Sequence, residues 1–140
     1  MSDLWLTRAK LVTPRGIVDG ALKVSRGRIT AIRSTAPRGA KGCSLRGAYL
    51  APGFIDLHVW GDLSTISRAA AQSGTTAFLT TLAPAPSWAL VAQLARLDLK
   101  QPLPGAACLG AHLEGPFLNS VRGGALPRRW MRRPLRRELR

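Results

Sequence analysis

The stretch FIDLHVWGDLSTISRAAAQSGTTAFLTTL, residues 54–82, contains two short apolar runs separated by one helical segment. FIDLHV and TTAFLTTL have the length of strands, and the second run is rich in the β-branched residues that favour them. Between them, residues 63–73 suit a helix that stops at Gly74, because glycine commonly ends helices. The pattern predicts a strand, a helix and a second strand, which is the repeating unit of parallel sheets.

The same alternation continues toward the C-terminus. We expect a helix over WALVAQLARLDL (residues 88–99) with Ser87 as its cap, and a third strand over AACLGAHLEG (residues 106–115). The residues spaced for one buried face of this helix are Trp88, Val91, Leu94 and Ala95. The fold class is therefore α/β with a parallel sheet, and the pattern alone leaves open whether that sheet is a barrel or an open sheet.

Residues 1–50 have a different character, with short strands joined by turns. LWLTRAKLV (4–12) is compatible with a strand, TPRG (13–16) with a turn, and ALKVSRGRITAI (21–32) with a hairpin. STAPRGAKGCS (34–44) has the composition of a loop. We therefore expect two domains, at residues 1–50 and 51–140.

The composition is that of a folded, non-membrane domain. The 140 residues are 46% hydrophobic, which is enough for a core. No apolar run approaches the ~18 residues that a membrane span needs. The start, MSDLWLTRAK, lacks the pattern of a secretory leader, so we expect a cytoplasmic protein. In that compartment Cys43 and Cys108 are predicted to be free thiols rather than a disulfide.

The strong positive charge raises a second class of function. The net charge is +14, and the arginine-rich end, residues 127–140, supplies +6 of it. Because 17 of the 21 basic residues are arginine, a coding-sequence bias explains much of this charge equally well. The alternative is a small basic nucleic-acid-binding protein that uses this end as a helix or arm, with Trp130 stacking on a base. Pro134 would interrupt such a helix.

Polar side chains gather at the ends of two predicted strands. Asp56 and His58 alternate along the first strand and therefore share one face, and His112 and Glu114 do the same on the third. Ligands bind at the C-terminal ends of parallel strands, and imidazole and carboxylate groups together suit a divalent metal. The simpler interpretation is that each histidine is a structural residue held by hydrogen bonds, with no role in binding a metal. The following SVRGGAL turn, residues 120–126, could hold a phosphate.

Three segments carry a resemblance to a known family. APGFIDLHVWG (51–61) and SGTTAFLTTLAP (73–84) resemble the first two barrel strands of the amidohydrolase superfamily. GAHLEGPFLN (110–119) is similar to the signature of the N-acetylglucosamine-6-phosphate deacetylases. The resemblance implies the first three βα units of a TIM-type (β/α)8 barrel. It also implies that part of a small β-sandwich precedes the barrel, so that the barrel in this chain is incomplete.

The resemblance also implies a metal and a substrate. Glu114 matches the metal-ligand glutamate, and His58 matches the first histidine of a His-x-His pair whose second position is Trp60 here. The implied cofactor is one divalent metal ion, zinc or similar. The substrate-facing loop residues are Asn119, Gly124 and Ala125. The implied substrate is an amino-sugar phosphate.

The implied reaction is metal-assisted hydrolysis of the N-acetyl amide in amino-sugar catabolism. In the family, two further histidine ligands and a catalytic aspartate lie on later strands, and none of the 140 residues matches them. We therefore expect no catalytic residue here and a truncated, inactive fragment, unless a partner chain or a homo-oligomer completes the barrel. The open alternative within the superfamily is another amidohydrolase, one that hydrolyses cyclic amides or imides.

Overall fold

The computed structural model describes residues 3–136, which divide into two compact units, one ending at Pro52 and the other beginning at Gly53. The first unit is built on a five-stranded sheet and the second on a three-stranded sheet with helices. The chain is therefore a mixed α/β protein, as the sequence predicts. The division into residues 1–50 and 51–140, with a β-sandwich and a barrel as the two domains, stays a prediction.

The N-terminal unit is a mostly antiparallel sheet. Its strands are β1 (Leu4–Thr13), β2 (Gly16–Ser25), β3 (Arg28–Arg33), β4 (Gly42–Ser44) and β5 (Tyr49–Leu50). β1, β2 and β3 pair antiparallel, and β4 and β5 pair parallel with β1. Ala9, Leu11 and Leu22 form its core. The predicted first strand and hairpin are confirmed, whereas the predicted loop at 34–44 ends in the short strand β4.

The second unit follows the predicted alternation. Its elements are β6 (Phe54–Val59), α1 (Leu63–Gln72), β7 (Thr75–Leu82), α2 (Ser87–Ala95), β8 (Ala107–Leu113) and two 3-10 turns, Ser120–Arg122 and Arg128–Trp130. The strands pair parallel in the order β6-β7-β8. The strand, helix and strand predicted over residues 54–82 are confirmed.

Helix α1 connects the first two parallel strands and covers one side of their sheet. It begins at Asp62, whose carboxylate accepts a hydrogen bond from the backbone N–H of Thr65 at 3.0 Å, a bond that holds the pKa of Asp62 below its ordinary value. It ends at Gln72, two residues before Gly74, which has the positive φ of +83° that glycine adopts without strain. Ile66 packs against Phe78 in the core.

Helix α2 departs from its prediction at both ends and on its face. Pro86, not Ser87, is the N-terminal cap residue, because its carbonyl accepts the first helical hydrogen bonds. The helix stops at Ala95, and Asp98 then turns the chain by accepting the backbone N–H of Lys100 at 2.9 Å. The predicted burial of four residues is wrong, because no element in the described part of the chain covers this face. The residues concerned are Trp88, Val91, Leu94 and Ala95.

Two β-bulges interrupt the parallel sheet just before its polar end. In β6, the three residue steps from Asp56 to Val59 lie opposite two steps of β7. In β8, the two steps from Cys108 to Gly110 lie opposite one step of β7, and Gly110 has a φ of +155°. An extra residue bends a strand and changes the direction of the side chains that follow it. The bulges therefore determine where the residues after them point.

The outer strands β6 and β8 expose a wide apolar surface. Five large apolar side chains of these strands are between 47% and 71% exposed: Phe54, Ile55, Leu57, Leu109 and Leu113. Both cysteines lie within the described residues and are free thiols, as predicted. Cys108 belongs to the core with Phe78, and Cys43 is exposed.

A single buried hydroxyl ties α1 to the start of β8, and it generates a stability prediction. The Ser67 side chain is fully buried, donates to the Ala106 carbonyl at 2.8 Å and accepts the Gly105 N–H at 2.9 Å. Ser67→Ala leaves both partners unpaired, so we expect it to lower the free energy of unfolding by about 1–3 kcal/mol. Urea denaturation measures this. Ser64→Ala, on the exposed side of α1, should change it by less than about 0.5 kcal/mol. Equal effects of the two substitutions would contradict the assignment.

Candidate functional site

The predicted metal ligands His58 and Glu114 lie side by side. His58 lies near the end of β6, and Glu114 directly follows β8, where its backbone N–H donates to the Leu82 carbonyl at 3.0 Å. The His58 Nε2 atom is 3.3 Å from the Glu114 Oε2 atom. The sheet thus brings together two residues that are 56 positions apart in the sequence, at the edge where parallel sheets bind ligands.

A hydrogen bond from Trp60 decides whether the contact between His58 and Glu114 is itself a hydrogen bond. Its indole N–H donates to the same His58 Nε2 atom at 3.0 Å. Because an indole nitrogen is always a donor, Nε2 must be an unprotonated acceptor in this arrangement. It therefore has no proton to give to the carboxylate, and two acceptor atoms face each other across 3.3 Å. The contact is therefore not a hydrogen bond. No proton lies between the two atoms to offset their repulsion.

The polar end of the sheet contains buried groups that lack partners. Among the described residues, the buried side-chain atoms without a hydrogen-bond partner are Thr81 Oγ1, His112 Nδ1 and Glu114 Oε2. Thr81 and His112 are register partners on β7 and β8, and Glu114 follows two residues later. Buried polar atoms in folded proteins are nearly always paired, and an exception commonly marks a site for an ion, a water molecule or a ligand.

The donor atoms present suit a zinc-like cation. Two ligands of a tetrahedral zinc ion, each about 2.0–2.2 Å from the metal, lie about 3.3–3.5 Å apart. The separation between His58 Nε2 and Glu114 Oε2, 3.3 Å, falls in this range. A cation would also satisfy the unpaired Oε2 atom. Within residues 3–136, however, no three His, Cys, Asp or Glu side chains are grouped so that they could hold a metal ion together.

Asp56 and His112, the other two polar residues at these strand ends, have contacts that the sequence did not predict. Asp56 was predicted to share a face with His58, but its Oδ1 atom accepts the backbone N–H of His58 at 3.0 Å and so supports the bulge of β6. His112, to which the sequence assigned no role, has its ring centroid 4.8 Å from that of His58. The alternation of His112 with Glu114 placed its imidazole at this edge of the sheet in the sequence analysis, without a specific role.

A pocket of about 440 Å³ adjoins the Glu114 carboxylate. It is lined by Trp60, Glu114, Leu118, Asn119, Arg122, Gly123, Gly124, Ala125 and Leu126. All three predicted substrate-binding residues, Asn119, Gly124 and Ala125, thus line one pocket with a predicted metal ligand. The Asn119 Oδ1 atom accepts the Val121 N–H at 3.0 Å, which leaves the amide NH2 group able to donate to a ligand.

The arginine-rich end gives the nucleic-acid alternative no further support. In the described residues 127–136 it forms no α-helix and contains the 3-10 turn Arg128–Trp130. The Arg129 guanidinium lies 5.5 Å from the centroid of the Trp130 ring, in a cation–π contact on the ring that a base would need. Residues 137–140, the rest of this predicted end, lie outside the described residues.

Comparison with known proteins first concerns the fold. No protein-family model matches the chain. The fold is similar to part of an amidohydrolase-family structure, D-hydantoinase from Bacillus sp.. The two superpose with a TM-score of 0.59 at 24% identity, over 83% of this chain and 28% of that one, a likeness of fold alone. No helix within residues 3–136 is long and apolar enough to cross a membrane.

The particular proteins that this chain resembles are N-acetylglucosamine-6-phosphate deacetylases, which confirms the resemblance seen in the sequence. The crystal structure of the Pasteurella multocida deacetylase superposes with a TM-score of 0.77 at 27% identity, over 97% of this chain and 40% of that one. The Vibrio furnissii deacetylase is 37% identical over an alignment of 121 residues, which covers 76% of this chain and 30% of that protein. The chain spans between 24% and 36% of the length of the curated relatives it matches.

The unpaired Oε2 atom of Glu114 leads to a prediction about the stability of the chain. In Glu114→Gln a neutral amide, whose NH2 group is a donor, replaces the charged acceptor that faces His58 Nε2, so the variant should be more stable than the unsubstituted chain by about 1 kcal/mol without metal. Thermal or urea unfolding in the presence of a chelator measures this. Asp98→Asn, an exposed carboxylate, is the control and should not stabilise the chain. A destabilised Glu114→Gln variant would show that Oε2 has a partner after all.

Proposed function

We propose that this chain forms the N-terminal part of a metal-dependent deacetylase that hydrolyses the N-acetyl amide of an amino-sugar phosphate. One observation carries the proposal: the Glu114 Oε2 atom, which lacks a hydrogen-bond partner, lies 3.3 Å from His58 Nε2, beside a pocket lined by Asn119, Gly124 and Ala125. The similarity to the deacetylases of Vibrio furnissii and Pasteurella multocida supports the choice of substrate. It also favours this activity over the hydrolysis of cyclic amides.

For the fold, we infer that the three parallel strands are the first βα units of a (β/α)8 barrel and that the N-terminal sheet is part of a β-sandwich. The superposition on the Pasteurella multocida structure supports this, because it covers 97% of this chain but only 40% of that one. A complete barrel typically takes about 250 residues. The exposed apolar side chains of β6 and β8 are those that further strands and helices would cover.

Each residue of the site has a proposed role. Glu114 and His58 hold a divalent cation, zinc or similar, which when bound supplies Lewis-acid activation of amide hydrolysis. Asn119 and the backbone around Gly124 and Ala125 bind the sugar phosphate. Arg122, which lines the same pocket, offers a guanidinium group that pairs well with phosphate oxygens.

Residues 3–136 by themselves lack the remaining parts of such a site. Metal sites of hydrolases use three protein ligands, and no such group exists within residues 3–136. We infer that the missing ligands and the general base come from further sequence, a partner chain or another copy. The isolated chain is therefore expected to be catalytically silent.

A chimera tests the proposal directly. The segment of the Vibrio furnissii deacetylase that corresponds to this chain is replaced by the 140 residues, so that Glu114 meets a complete set of later residues. We expect metal-dependent acetate release from N-acetylglucosamine 6-phosphate, which Glu114→Gln lowers by at least about 100-fold because a metal ligand is lost. The 140-residue chain alone is assayed beside it and should show no release above a metal blank.

Three outcomes would contradict the proposal. A chimera whose activity survives Glu114→Gln would remove this carboxylate from the site. A folded chimera that releases no acetate but hydrolyses a cyclic amide would place the chain with the other amidohydrolases. Metal-dependent turnover by the 140 residues alone would refute the expectation of a silent chain.

A further inference from the structure

The indole N–H of Trp60 is hydrogen-bonded to His58 Nε2, the atom with which His58 would bind a metal ion. A neutral imidazole has one unprotonated nitrogen, with one lone pair. In His58 that nitrogen is Nε2, and it already accepts the Trp60 N–H at 3.0 Å. The two rings are tilted by 51° with their centroids 6.1 Å apart, so they meet through this hydrogen bond and are not stacked. A cation and the indole N–H therefore compete for the same lone pair.

The surroundings favour the cation over the indole in this competition. The indole N–H is neutral and satisfies only Nε2, whereas the neighbouring Glu114 Oε2 remains buried and unpaired, 3.3 Å away. A cation in contact with both atoms would satisfy both. The indole thus holds the imidazole in place, but it leaves the carboxylate without a partner.

Trp60 also has space to move. Its side chain borders the pocket of about 440 Å³ beside Glu114. It borders a second cavity, of about 340 Å³, on its other side, where α1 contributes Thr65 and Ile66. The residue is 48% exposed, so no close packing holds its ring in one position. Its indole can therefore leave His58 without unfolding the strand.

We propose that Trp60 is a positioning residue that protects the His58 Nε2 lone pair until a divalent cation displaces it. The proposal rests on the metal-binding role of His58 and Glu114 given above. Without metal, the indole N–H keeps the imidazole in its ligating orientation. When a cation binds, the indole moves away from Nε2 into one of the adjoining cavities. Trp60 thereby lowers the affinity for the metal ion, but it keeps the His58 imidazole ordered when no metal is bound.

The experiment compares metal binding by the full chain and by Trp60→Phe, which keeps an aromatic ring but has no N–H donor. Removing the competing hydrogen bond should tighten Co²⁺ binding roughly two- to tenfold. A chromogenic chelator measures the affinity by competition, and the visible spectrum of Co²⁺ reports its ligands. Trp88→Phe, which changes an exposed tryptophan of α2, is the matched control and should leave the affinity unchanged.

A second measurement follows the indole of Trp60 in the unsubstituted chain and uses the variants only to assign signals. The four tryptophans give indole N–H signals in a ¹⁵N–¹H correlation spectrum, and Trp60→Phe identifies the signal of residue 60. Titration of the unsubstituted chain with Zn²⁺ should shift that signal as its hydrogen bond to His58 breaks. The indole signal of Trp88 should stay in place.

The outcomes separate this inference from the proposed function. Weaker or unchanged Co²⁺ affinity in Trp60→Phe, or a Trp60 signal that does not move at saturating Zn²⁺, would overturn the role of Trp60. The absence of Co²⁺ binding by both the chain and the variant would do the same. If Glu114→Gln binds Co²⁺ as tightly as the unsubstituted chain, the metal site itself is wrong, whatever Trp60 does.

Discussion

Two hydrogen-bond acceptors that face each other with no proton between them define this site. The His58 Nε2 atom accepts from Trp60, and the Glu114 Oε2 atom lies 3.3 Å away without a donor among the described residues. Such a contact is unfavourable in a protein by itself, because a buried carboxylate oxygen without a partner costs free energy. It becomes favourable once a cation contacts both atoms. The proposed chemistry of the chain follows from this one arrangement.

The rest of the second unit supports that arrangement. The bulges of β6 and β8 redirect the residues that follow them, and Asp56 stabilises one bulge through the backbone of His58. Behind the sheet, Phe78 is fully buried in a core with Ile66 and Cys108. Strain and unpaired groups are tolerated at functional sites when well-packed parts of the fold offset them. Here α1 and β7 are the packed parts, and the strand ends carry the unpaired groups.

Local sequence patterns predicted most strands and helices of the second unit. Most of the features that these patterns did not predict depend on contacts between residues far apart in the sequence. The β-branched run of β7 and the Gly74 stop of α1 are local signals, and both elements formed where they were expected. The spacing of Trp88, Val91 and Leu94 reports that α2 is amphipathic, but it does not tell what covers the apolar side. In the described residues nothing does. Whether a helix face is buried depends on partners that its own sequence does not contain.

The site was predictable in part for the same reason. Glu114 was identified by a contiguous motif, and its meeting with His58 followed from strand alternation and a parallel sheet. The hydrogen bond from Trp60 was not predictable, because the bulge in β6 changes the alternation between residues 56 and 59. A bulge depends on the register with the neighbouring strand. The sequence of β6 alone carries no record of that register.

A crystal of the full chain grown with Zn²⁺, with anomalous diffraction measured at the zinc absorption edge, tests the central claim most directly. The account predicts one strong anomalous peak about 2.0–2.2 Å from both His58 Nε2 and Glu114 Oε2. A map with no peak there, and with the Glu114 side chain turned to solvent or paired with an arginine, would contradict it.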